Sequence, residues 1–216
     1  MDKRTPPVKE QILDAALRLM AVRGYHRMVL GDVLRESGTG KGNFYHYFES
    51  KEALGYAILD RVVREFTTRT LDPIFRDPAR PPLEQVYAFL DALVSTQRAR
   101  KCVGGCPMGN LAAELADSHE GFRERLTAVF DQWRACLAET LARARADGTL
   151  RPDAEPGRLA GFLVAAVEGG ILLTKVQKDI VVLEDCVREL KDHLALHAAP
   201  SCGVHVAALP EIEVVP

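Results

Sequence analysis

The sequence predicts an all-α protein, with a small N-terminal helix-turn-helix domain followed by a larger helical domain. Three observations predict it. Apolar residues recur at intervals of three and four along most of the chain, and no alternating strand pattern appears before the final residues. Clusters of Gly, Pro and Ser cut that periodicity into pieces of helical length. The stretch Leu30 to Lys51, LGDVLRESGTGKGNFYHYFESK, reads as a helix, a glycine-containing turn and a short polar helix, the layout of a DNA-binding helix-turn-helix.

Taken in order, Met1 to Pro7 is polar and proline-containing, expected as a loose, solvated tail, with contact of Lys3 and Arg4 to a DNA backbone as the alternative. Val8 to Arg23 is amphipathic, with Ile12, Leu13, Ala16, Leu17 and Met20 on one face, and Gly24 ends it. From Leu30, apolar Leu30, Val33 and Leu34 share a face while Asp32, Arg35 and Glu36 turn outward. Gly38 is expected as the left-handed residue that closes this helix, and Thr39 as the N-cap of the next. Lys41 to Phe48 is too short to be a stable helix alone. Phe44 and Phe48 are therefore expected as wedges into the core, with Lys41, Asn43, Tyr45 and His46 on the open side. Ser50 caps a long helix, with Glu52 in its first turn, running to about Leu71, where Pro73 is expected to stop it.

The second half follows the same rules. Asp77 to Pro82 is a loop, and Leu83 to Arg100 a helix with Val86, Phe89, Leu90 and Leu93 on its apolar side. Lys101 to Pro107 breaks the chain before a short helix, Met108 to Ala116, and a long one, His119 to Asp147. After a turn-rich connector, Leu159 to Gln177 is nearly free of charge apart from Glu168 and Lys175. Leu183 to Leu196 is the last amphipathic helix, and Pro200 to Pro216 reads as a tail. The expected domains are residues 8–68, a DNA-binding unit, residues 69–200, an effector-binding and dimerisation unit, and residues 201–216.

Net charge of −2 conceals an asymmetry: residues 1–51 carry nine basic and six acidic residues, while the remainder carries 19 and 24. A locally basic unit on an acidic body suits a nucleic-acid binder with a second task. No uninterrupted apolar run approaches the ~18 residues of a membrane span, and no charged-then-apolar leader is present, so a cytoplasmic protein with no membrane partner is expected. Five cysteines without paired CxxC spacing indicate neither a disulfide scaffold nor a metal site, and no cofactor motif occurs.

The run Lys41-Gly42-x-Phe44-Tyr45-x-Tyr47-Phe48-x-Ser50-Lys51-Glu52-Ala53-Leu54, preceded by a helix ending in Arg23-Gly24-Tyr25, resembles the N-terminal domain of the tetracycline-repressor (TetR/AcrR) family of bacterial transcriptional regulators. The resemblance spans roughly residues 8 to 68. Two positions depart from the family pattern: Met28-Val29 and Gly40 stand where the family commonly has hydroxyl residues. The resemblance implies a homodimer on double-stranded operator DNA, assembled through its last two large helices, released by a small-molecule effector and acting as a repressor.

In a helix-turn-helix the second helix enters the major groove. Lys41 is placed to reach a guanine edge or a phosphate, Gly42 allows close backbone approach, and Asn43 and His46 are candidate base readers. Tyr45 and Tyr47 offer hydroxyls to phosphate, and Lys51 lies at the next helix's N-terminus, an anion-binding place. The resemblance assigns these same positions to DNA contact.

For the effector, the sharpest feature is Cys102-Val-Gly-Gly-Cys106-Pro-Met-Gly-Asn-Leu111. A thiol at a helix N-terminus with Arg100 and Lys101 nearby in sequence is expected to ionise easily and to react with electrophiles or oxidants. A buried cysteine acting as a small hydrophobe is the ordinary alternative. Gly105, Cys106, Gly109, Asn110, Leu111 and Glu114 together resemble a TetR subgroup that includes the N-ethylmaleimide-type electrophile repressor and the acrylate-responsive regulator. That subgroup also carries a Lys at the place of Lys175, which needs a partner such as a thiolate, Glu168 or an acidic effector. Cys102 is a candidate resolving thiol, while Cys136 and Cys186 fall on core stripes. Two other functional classes fit less well. A thiol enzyme using Cys106 would need a base such as His119, and no catalytic signature supports it. A helical interaction module that has lost DNA binding draws slight encouragement from Met28, Val29 and Gly40.

Overall fold

The computed structural model describes residues 7–199; among these the chain is helical and without a strand, one isolated bridge pairing Leu150 with Ala198. Helices α1 (Val8–Arg27), α2 (Leu30–Ser37), α3 (Lys41–Tyr47) and α4 (Lys51–Phe66) form the N-terminal unit. They are followed by α5 (Asp72–Phe75), α6 (Pro82–Ala99), α7 (Pro107–Leu115), α8 (Glu120–Ala146), α9 (Pro156–Gln177) and α10 (Val181–Ala195). Lys3, Arg4, Cys202 and the tail from Pro200 lie outside the described residues.

The N-terminal unit closes around Ile12, Met28, Phe44 and Ile58, all fully buried. Phe44 and Phe48 are core wedges, as their spacing predicts, and burying one such ring is worth about 1.5–3 kcal/mol. That burial holds α3, which has only seven residues and no side-chain N-cap. Gly38 is left-handed at φ 66°, as predicted, but Thr39 does not cap α3. Gly40 occupies the N-cap, and the Thr39 hydroxyl pairs instead with that of Ser37 at 2.7 Å. With Val29 and Gly40 unable to cap, α2 and α3 depend on α1, which packs against both and pairs Arg18 with Glu36 and Arg23 with Asp32. Arg61 of α4 reaches back to Glu10 and Asp14 of α1. Ser50 caps α4 as predicted, its Oγ accepting from Ala53 N–H at 3.0 Å.

Pro73 does not stop the chain's helical course. α4 passes into a π-helical turn, Thr67–Leu71, in which Asp72 N–H pairs with Thr67 O, and α5 follows directly. The proline falls in the first turn of α5, where a missing N–H is tolerated. In the second unit α9 lies between α8 and α10. Gly170 lets α10 approach closely: a Cβ there would sit 3.0 Å from Cys186 Sγ. Contrary to expectation, α9 is by length and composition apolar enough to cross a membrane, with a mean hydropathy of 1.7, because Glu168 and Lys175 are few among 22 residues. Its outer face leaves Phe162, Leu172, Leu173 and Val176 exposed, and Val181 of α10 adds to them.

Candidate DNA-reading face and effector cavity

The face of α3 opposite Phe44 and Phe48 is open. Lys41, Gly42, Asn43, Tyr45, His46 and Tyr47 are all exposed, and nothing lies within 4 Å of where a Gly42 side chain would begin. Tyr45 and Tyr47 are 53% and 40% exposed, large areas for aromatic rings to leave in water even though each packs edge-on against a neighbour, Phe44 and His46. Helical periodicity thus sorts the segment into two buried wedges and a row of donors and rings nearly two turns long.

The second unit encloses a cavity of about 530 Å³. Its walls are mainly apolar, with Phe66 of α4, Phe89 of α6, Met108 and Leu111 of α7, Trp133 of α8 and Val167 of α9. Leu17, Met20 and Ala21 of α1 also line it, so the DNA-binding unit supplies part of the wall. Phe66 stacks obliquely on Trp133, with ring centres 5.0 Å apart. Cys106 and Glu168 meet in the same wall: Gly109 has so little room beside them that a Cβ would lie 2.5 Å from Glu168 Oε2.

Two family profiles match the chain: bacterial regulatory proteins of the tetR family over residues 12–58, and the tetracyclin repressor-like C-terminal domain over residues 82–190. An HTH-type transcriptional regulator in the lacX 3′ region of Lactococcus lactis subsp. lactis is 36% identical, the match covering 82% of this chain and 87% of that one. The chain belongs to the TetR family. The HTH-type transcriptional repressor NemR of Escherichia coli K12 is 28% identical over 92% of this chain and all of its own length. The crystal structure of regulatory protein TetR from Rhodobacter sphaeroides superposes with a TM-score of 0.80 at 28% identity, covering 86% of this chain and 98% of that one. This TetR-family protein is accordingly a DNA-binding transcriptional repressor and not an enzyme.

Within this TetR-family repressor, Lys51 stands apart from the other candidate DNA contacts. Its ammonium donates to His26 O at 3.1 Å and sits 4.7 Å above the Tyr25 ring. Burial lowers its pKa, and the Glu114 carboxylate partly offsets that. Lys51 thus packs on the Tyr25–His26 end of α1, near Glu114 of the second unit.

The expectation of an easily ionised Cys106 fails. It does cap α7, its Sγ accepting from Gly109 N–H at 3.4 Å. Burial nevertheless pushes the thiol far above its usual range, and the Glu168 carboxylate pushes it further. Arg100 and Lys101 do not counter this: Arg100 reaches Gly105 O, and Lys101 is exposed on a left-handed backbone. Burial also raises Glu168, which a hydrogen bond from the Cys106 thiol partly offsets. Lys175 pairs with neither: its Nζ donates to Asn110 Oδ1 at 2.8 Å. Cys102 is buried, with a left-handed backbone, and does not line the cavity beside Cys106. Cys136 and Cys186 are half-buried. His119 stacks against Tyr56 and Phe122 and lies 3.6 Å from Glu52, so it is not a base for Cys106.

Glu114 makes a contact between the two units that residue-by-residue reading misses. It ends α7, the helix that Cys106 begins, and also lines the cavity. Its carboxylate accepts from the backbone N–H of Tyr25 at 3.0 Å and of His26 at 2.9 Å. Gly24 makes this contact feasible, because a Cβ there would lie 2.5 Å from Glu114 Oε1 and the backbone turns at φ 78°. Tyr25 in turn donates its hydroxyl to Lys51 O. The motif that resembles a TetR subgroup ends in this glutamate, which was the available signal.

Proposed function

We propose that the repressor acts in the cytoplasm as a homodimer, with a DNA-binding domain at residues 8–68 and an effector domain at residues 69–200. It leaves double-stranded operator DNA when a small molecule occupies the cavity. One observation carries the reading: the cavity is walled by α1 and α4 of the DNA-binding unit as well as by α6 to α9. A ligand that favours one arrangement of those walls biases the position of α3.

Lys41, Gly42, Asn43, Tyr45, His46 and Tyr47 form the DNA-reading row, with Lys41 and the tyrosine hydroxyls toward phosphate and Asn43 and His46 toward base edges. One short helix reads too little sequence for useful specificity, so two copies read two half-sites. The exposed Phe162, Leu172, Leu173 and Val176 of α9 supply the apolar face of that dimer.

Reversible occupancy is the first reading of the effector step, because burial and Glu168 keep Cys106 a protonated thiol. Covalent sensing of an electrophile or oxidant is the second. It is favoured by the place of Cys106 in the cavity wall, at the head of the helix that ends in Glu114. Operator binding followed by fluorescence anisotropy, titrated with N-ethylmaleimide in wild type and Cys106→Ser, separates the two. Release confined to wild type establishes the covalent switch. Release of neither, with release of both by a compound that occupies the cavity, establishes the reversible one. Cavity occupancy that leaves operator affinity unchanged contradicts the proposal.

A further inference from the structure

Helix α6 buries two glutamines, and they are treated differently. Gln85 is satisfied at both ends of its carboxamide: Nε2 donates to Asp77 O at 2.8 Å, and Oε1 accepts from Arg143 at 2.8 Å. Gln97 is 4% exposed and lines the cavity. Its backbone carbonyl accepts from Cys102 N–H, yet among the described residues no group bonds its side chain. The Gln97 carboxamide is thus a polar group on the cavity wall that no described protein group satisfies, free to bond a molecule in the cavity.

Several other polar groups of the wall are already engaged. Glu65 pairs with Arg61, Glu114 with two backbone N–H groups, Asn110 with Gly104 O and Lys175, and Glu168 with Cys106. The Trp133 Nε1–H on the adjacent α8 is buried without an acceptor, so this part of the wall has more donors than acceptors. A charged ligand would need a buried counter-charge. The carboxylates named above are taken, and Arg69 and Arg100, which also line the cavity, are exposed, so water screens the charge they offer a ligand.

We propose that Gln97 determines effector specificity, and that the effector is an uncharged, largely apolar molecule carrying a carbonyl or amide group that accepts a hydrogen bond from the Gln97 carboxamide. Size follows from the cavity of about 530 Å³, which takes a two- or three-ring skeleton or its open-chain equivalent. The inference rests on the cavity being the effector site.

Two probes with one skeleton test it: benzophenone, which carries the carbonyl, and diphenylmethane, which lacks it. Neither is an acceptor for conjugate addition, so Cys106 chemistry does not intrude. Trp133 is the only tryptophan of the chain, and a change in its fluorescence reports occupancy of this cavity. Calorimetric titration of wild type should show benzophenone binding about tenfold more tightly than diphenylmethane, the worth of one neutral hydrogen bond. Gln97→Leu should abolish that preference while still binding diphenylmethane, with a melting temperature no lower than wild type. Equal binding of both probes by wild type, a preference that survives in Gln97→Leu, or binding of neither probe overturns the proposal. Failure of the underlying cavity reading looks different: the preference is present, but benzophenone leaves operator affinity unchanged.

Discussion

Cys106 and Glu168 face each other in the cavity wall, and burial raises the pKa of both. The folded protein therefore keeps a proton on Glu168 at pH values where the unfolded chain has released it. Stability associated with this group is full below the ordinary carboxylate range, about pH 4.3, and falls as pH rises toward the higher folded pKa. Glu168→Gln should match wild type in melting temperature near pH 4 and exceed it increasingly at higher pH; parallel curves would contradict the assignment. The thiol gives a second readout. Cys106 should be alkylated by iodoacetamide at pH 7.5 more slowly than an unfolded-state cysteine, and faster after Glu168→Gln, as followed by mass spectrometry. The helix N-terminus and nearby cations suggest an activated thiol from sequence alone. Burial, reinforced by Glu168 62 positions away, reverses that reading, and neither the burial nor so distant a carboxylate is visible in the local sequence.

The helices themselves were legible because their signals are local: the periodic apolar residues of α1, the Gly38 turn and the Ser50 cap all lie within a turn or two of their consequence. The junction of α7 with α1 and α4 was not, because Glu114 meets Tyr25 and His26 across nearly half the chain. The π turn at Thr67–Leu71 was equally hidden, since nothing local distinguishes it from the end of α4. Glu114→Ala leaves two backbone N–H groups without their acceptor and should cost about 1–3 kcal/mol in urea unfolding. It should also weaken the link between cavity occupancy and operator affinity; an unchanged link would place the coupling elsewhere. Gly55 marks the same junction from α4. A Cβ there would lie 2.6 Å from Tyr25 Cε2 and 2.7 Å from Phe122 Cζ, so Gly55→Ala should destabilise by about 1–3 kcal/mol through overpacking.

At the scale of the whole molecule, two exposed surfaces remain once the cores are filled, the row on α3 and the apolar stripe on α9. Both are visible in the sequence as patterns, but only burial shows which residues of each pattern stay outside. Leu172→Glu with Val176→Glu places charge in that stripe, where both residues are exposed, and should give a folded monomer by sedimentation with unchanged helical content. A dimer that persists would move the interface off α9. The account turns on α3 as the reader of DNA, and the most direct test measures it on an operator selected from random-sequence duplexes. Affinity would be taken by anisotropy between about 50 and 200 mM salt for wild type, Lys41→Ala and Asn43→Ala. Wild-type affinity should fall steeply with salt. Lys41→Ala should bind more weakly with a salt slope shallower by about one, and Asn43→Ala should lose about 1–3 kcal/mol of discrimination at one base pair of each half-site. Wild-type slope and discrimination in both variants would contradict the assignment of α3 as the reading helix.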